Sequence, residues 1–190
     1  MKAPFSRRVR LALGGLLAAG LGLASFAAGG ASAPPQLARE HRHPAAGFVF
    51  RTPESWTVAE VAGRPGAMEA SAGTLRVRFL WHKGDQGFDA AHVLCMLERF
   101  SPSMEVQPQM SYEYDFISGE AGGRRFLDSA FEIHYDRPVM GAKDWRQRAF
   151  TIVGDDGALC IVSAAPHAAW KKASTRALMD GILGSVTFGR

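Results

Sequence analysis

The run Gly154-Asp155-Asp156-Gly157-Ala158-Leu159-Cys160-Ile161-Val162-Ser163-Ala164 decides how this chain is read. Two glycines bracket two aspartates, a composition that turns the backbone sharply because Asp side chains bond nearby amides. Leu159, Cys160, Ile161 and Val162 then follow without a polar break. Side chains alternate between faces in a strand, so four consecutive apolar residues imply a strand buried above and below. Such a strand sits in the middle of a sheet and needs a layer of chain on each side.

Outward from this run, the neighbours also read as strands. Residues 145–153 enter the turn. Before them, Leu127, Phe131, Ile133 and Tyr135 fall on one side of another strand. Met110, Tyr112, Tyr114 and Phe116 alternate with Ser111, Glu113 and Asp115, and the glycines at 119–123 make a hairpin connection. In residues 74–82, Leu75, Val77, Phe79 and Trp81 alternate with Arg76, Arg78 and His82. Shorter strands are expected at 47–51, 56–61 and 186–188. The period changes at 88–100, where Phe88, Ala91, Leu94, Cys95 and Leu97 share a helical stripe that Ser101-Pro102 ends. A second helix starts at about Pro166, with Trp170, Ser174, Ala177, Leu178, Gly181 and Ile182 at helical spacing. Short connections make the sheet mainly antiparallel, and the class α+β.

Residues 1–33 read as a signal peptide. Arg7, Arg8 and Arg10 precede an uncharged Leu-, Ala- and Gly-rich stretch, and Ala31-Ser32-Ala33 offers cleavage after Ala31 or Ala33. Ser6-Arg7-Arg8 matches a twin-arginine signal in part, so either the general secretory or the twin-arginine route is open. If uncut, the segment would anchor the protein in the membrane. Residues 34–46 carry prolines and charges without an apolar period and read as a linker. Residues 47–190 form one domain, and the expected location is the periplasm.

The leader holds four of the 22 Lys and Arg residues and no Asp or Glu, leaving 18 basic against 18 acidic residues. A nucleic-acid partner needs a cation surplus to displace phosphate counterions, so that class is excluded. Cys95 and Cys160 are the only cysteines. They either form one disulfide in an oxidising compartment or stay as buried thiols.

The ends of the chain resemble a known family. Gly47-Phe48-Val49-Phe50 with Pro53 and Trp56 is similar to the opening of PsbP-like proteins. Ile182-Leu183-Gly184-Ser185-Val186-Thr187-Phe188 looks like their ending. The resemblance implies an α/β/α sandwich around an antiparallel sheet. It also implies a binding or assembly module without shared catalytic residues.

Motifs that would dictate chemistry are missing: no G-x-S-x-G elbow, no phosphate loop, no C-x-x-C and no H-E-x-x-H. His41 and His43 offer two metal ligands where a stable site needs more, and read as linker histidines. His82, His92, His134 and His167 lie on different elements and would matter only if they converge. Asp155 and Asp156 read as turn residues rather than paired acid–base carboxylates. Arg124, Arg125, Arg137, Arg146 and Arg148 are interspersed with Asp128, Glu132, Asp136 and Asp144, the pattern of a mixed-charge strand surface. No catalytic, cofactor-binding or metal residue is assigned, and no cofactor is expected. The expected function is an exported, non-catalytic binding or assembly module with an envelope protein as partner. The alternative is a small envelope enzyme or metal-binding protein whose site assembles only in the fold.

Overall fold

The computed structural model describes residues 36–43, 46–84, 88–98, 100, 109–121 and 123–188, with the backbone alone for 109–116. The leader at 1–33, the helix stop at Ser101-Pro102 and the facing of Met110, Tyr112, Tyr114 and Phe116 lie outside what is described.

Gly157–Pro166 is the central strand β9 of a seven-stranded sheet, buried at eight consecutive positions from Ala158 to Ala165. The other strands are β3 (Thr57–Glu60), β4 (Ala67–Ala72), β5 (Leu75–Lys83), β6 (Gln109–Ala121), β7 (Arg124–Val139) and β8 (Ala142–Val153). Their order is β3-β4-β5-β9-β8-β7-β6, and every pair is antiparallel. The β7–β8 hairpin turns on Met140 (φ 50°) and Gly141 (φ 85°), the two left-handed residues a tight two-residue loop demands.

Period 2 divides β9 between two cores. Cys160, Val162 and Ala164 face a cluster with Phe131, Ile133, Trp145 and the helix α1 (Phe88–Met96). Leu159, Ile161 and Ala165 face the opposite cluster, which holds Phe79, Trp170, Met179 and Ile182. That second layer consists of α2 (His167–Trp170), α3 (Ala173–Gly184) and a small sheet. In the small sheet β2 (Phe48–Thr52) lies between β1 (Arg39–Arg42) and β10 (Thr187–Phe188). Phe50 stacks on Phe79 of the main sheet with ring centroids 3.9 Å apart. The architecture is the expected α+β arrangement, helices on both faces of an antiparallel sheet.

Three readings of the sequence are corrected. Arg39–Arg42, placed in a linker, is a strand: Glu40 pairs Arg51, and His41 bonds the Thr52 hydroxyl at 3.0 Å. His43, read as a linker histidine, is buried, stacked on Phe48, and accepts a hydrogen bond at Nδ1 from the Ala46 amide. Ala67–Ala72 was not expected to be a strand at all, since its small residues have weak β-propensity. Pairing with β5 from Ala67↔Leu80 to Ala72↔Leu75 makes it one.

An outward-facing apolar stripe on a stapled helix

Helix α1 departs from the expected stripe in part: Ala91 and Cys95 are buried as read, but Leu94 and Leu97 are not. Its buried residues are Ala91, His92, Cys95 and Met96. Leu94 and Leu97, read as part of the inward stripe, point to solvent with Val93; their exposures are 46%, 59% and 46%. Ala90 is exposed as well. The outward set Ala90, Val93, Leu94 and Leu97 recurs at i, i+3, i+4 and i+7.

The inward face explains the rotation. Cys95 is disulfide-bonded to Cys160 of the central strand, which settles the cysteine alternatives and fixes α1 about its axis. His92 lies fully buried between two strands. Its Nδ1 is 2.9 Å from the Thr151 hydroxyl and its Nε2 3.0 Å from the Ser129 hydroxyl. A buried imidazole needs partners for both nitrogens, and these hydroxyls, each able to donate or accept, supply them. Beyond the last turn, the Gln147 amide nitrogen donates to the carbonyls of Met96 and Glu98, satisfying acceptors a helix end leaves open. Glu98 is buried against the guanidinium of Arg78 and is 2.6 Å from Arg64. Arg78 also pairs with Glu69 of β4 and lies over the Phe100 ring at 4.7 Å. The helix is tied down along its length, with its apolar side outward.

Burial, the largest influence, holds the pKa of His92 below its ordinary value, against the opposing pull of Asp128 and Asp89. His41, His43 and His82 are likewise lowered, chiefly by burial. A group depressed in the folded state takes its proton first in the unfolded chain. The stability it contributes is complete above the unfolded value of about 6.5 and is lost as pH falls through it toward the folded values. The urea midpoint is therefore expected to drop between about pH 7.5 and about pH 5.5. A midpoint that holds steady or rises on acidification would overturn this assignment.

Other polar residues singled out in the sequence are engaged in separate pairs. His134 meets Asp144, and His167 is 2.8 Å from Glu132. Among the described residues no three His, Cys, Asp or Glu side chains come together as a metal site would require. Asp155 pairs with Arg124 at 2.9 Å, a contact that lowers its carboxyl pKa through the hydrogen bond first and charge second. Arg148 grips buried Asp128 with two bonds, at 2.9 and 2.7 Å, and reaches Asp180 of α3 at 2.8 Å. Arg146 lies over Trp170 at 5.3 Å. These cations hold layers together.

The same three-layer arrangement occurs in the cyanobacterial PsbP, CyanoP, from Synechocystis sp. PCC 6803. The two match with a TM-score of 0.59 over 84% of this chain and 98% of that one, at 11% identity. The fold is PsbP-like. The motif residues that suggested it are structural: Gly47 has φ 68°, Phe48 and Phe50 are fully buried, and the Trp56 amide closes a turn on the Pro53 carbonyl. A Pseudomonas aeruginosa protein of unknown function, PA94, matches at a TM-score of only 0.33, with 15% identity over 67% of this chain and 88% of its own. No family model matches the chain, and no curated protein matches it.

Proposed function

We propose that this protein is an exported, non-catalytic binding or assembly module of the cell envelope, and that it presents α1 to an apolar groove on a protein partner. The observation that carries the reading is the outward stripe of Ala90, Val93, Leu94 and Leu97. Side chains at i, i+3, i+4 and i+7 are the anchors of a helix that seats in a groove. A helix fixed in place beforehand loses little conformational freedom on docking, which favours affinity. A lipid surface fits less well, because interfacial helices are rich in Lys and Arg. Phe88–Met96 contains neither, and its one charge is Asp89. The PsbP-like fold supports a module of this kind. The leader pattern and the Cys95–Cys160 bond support export to an oxidising compartment.

Photo-crosslinking in living cells tests the reading. A crosslinking residue at Val93 is expected to trap one partner, and one at Lys172 of the opposite layer to trap none. Leu94→Ser with Leu97→Ser should abolish the crosslink from position 93 while changing stability by no more than about 0.5 kcal/mol, as for exposed positions. Equal trapping from Lys172, or a crosslink indifferent to the double substitution, would sink the proposal. A crosslinked product of twice the chain mass would replace the partner with a second copy.

A further inference from the structure

A pocket of about 680 Å³ opens at one end of the main sheet, beside the start of α1. Its apolar wall comes from Phe88 and Ala91 of the helix and from Val153 and Ala158 of the β8–β9 hairpin. The floor is fixed by close backbone packing. Lys83 stands opposite Gly157 in the sheet, and the Gly84 amide donates to the Asp156 carbonyl at 2.8 Å. A Cβ at Gly157 would come within 2.2 Å of the His82 carbonyl oxygen, so only glycine permits this approach. The volume lies in the range of small-molecule sites, which combine apolar walls with a few placed polar groups.

Charge at the mouth is uneven. Asp155 is already neutralised by Arg124. Lys83 and Arg125 line the pocket without a carboxylate partner among the described residues, and Arg125 rests on the Phe88 ring at 5.1 Å. Asp156 is the single carboxylate of the lining left without an ion pair among them. His82 also contributes to the wall, although its Nε2 is buried away from the opening. Among the described residues of the lining, two cations without a carboxylate partner stand against one carboxylate without an ion pair, over an apolar cavity, which favours a ligand with one negative charge and an apolar body.

We infer that this pocket binds a small amphipathic monoanion, a carboxylate with an aliphatic or aromatic tail. The inference is independent of the α1 stripe. Calorimetric titration of the exported chain with decanoate, decanol and decyltrimethylammonium, each below its micelle-forming concentration, tests it. Decanoate is expected to bind once per chain, with the alcohol and the cation at least about tenfold weaker. Lys83→Met with Arg125→Met should reduce decanoate affinity about tenfold, and Asp156→Asn should raise it. If the double variant fails to fold, the gain in Asp156→Asn is still required. Decanol binding as tightly as decanoate would overturn the inference. So would no gain in Asp156→Asn, or affinity that survives in the Lys83, Arg125 variant but disappears in Leu94→Ser with Leu97→Ser. Replacing decanoate with phenylbutyrate separates aliphatic from aromatic tails; binding of neither would also overturn it.

Discussion

Replacing Cys95 and Cys160 with alanine is expected to lower the free energy of unfolding by about 4 kcal/mol, the largest effect of any change considered for this protein. The two cysteines are 65 residues apart, so the bond closes a long loop. Cross-linking a loop of that size removes much of the freedom of the unfolded chain. The folded state loses as well, because nine residues of helix are marginal without tertiary support. With the bond gone, α1 keeps its hydrogen bonds through His92 and its packing at Ala91 and Met96. Its amides should then exchange ahead of those in β9. Urea unfolding of the oxidised, reduced and Ala/Ala forms measures the effect directly. Reduced and Ala/Ala proteins that unfold within about 1 kcal/mol of the oxidised form would show that the bond contributes little. Because the stripe of Val93, Leu94 and Leu97 depends on how α1 is rotated, crosslinking from position 93 should weaken in the same variants.

The sheet was legible wherever burial and strand period agree. Leu75, Val77, Phe79 and Trp81 share one apolar face of β5, although Arg78 and Leu80 on its other face are buried too, and residues 159–162 are apolar throughout because both faces of β9 are covered. Legibility failed where a residue's state depends on a distant partner. Arg39–Arg42 has four polar residues and becomes a strand only by pairing with β2. Ala67–Ala72 becomes one only because β5 lies beside it. Helix α1 is the instructive case. Hydrophobicity alone turns Leu94 and Leu97 inward, yet the structure buries a histidine instead. His92 is tolerated in the core because Ser129 and Thr151 occupy the positions its nitrogens require. Those hydroxyls lie 37 and 59 residues away, beyond any local pattern. The candidate site was therefore hidden by the same feature that creates it. A weak clue existed in the sequence: placing His92 and Cys95 inward leaves Val93, Leu94 and Leu97 no room on the buried face. The pocket was harder to see, since His82, Lys83, Arg125 and Val153 come from three different strands.

Glu98→Ala is expected to destabilise the protein by about 3 kcal/mol, because it leaves a buried cation short of its counter-charge. Arg78 and Glu98 are each exposed by only 6%, so neither is hydrated well enough to stand alone. Glu69 still touches Arg78 from β4, but it also holds Arg76 at 3.3 Å and is shared between two guanidiniums. Arg64 matters less, since about half of its side chain reaches water. The pair stands where the chain leaves α1, next to the Gln147 amide that holds the carbonyls of Met96 and Glu98. Breaking it should loosen the last turn, so the Leu97 amide, bonded to the Val93 carbonyl at 3.1 Å, should lose exchange protection first. Replacing both partners, Arg78→Met with Glu98→Met, removes the two charges together and should restore most of the loss. The double-mutant cycle is then expected to show a coupling of more than about 1.5 kcal/mol. Glu98→Ala unfolding within about 0.5 kcal/mol of the parent would mean that the pair behaves as a solvated surface contact. In that case the C-terminal end of α1 would be held by contacts other than this pair, the Gln147 amide, the disulfide and the packing of Met96 among them.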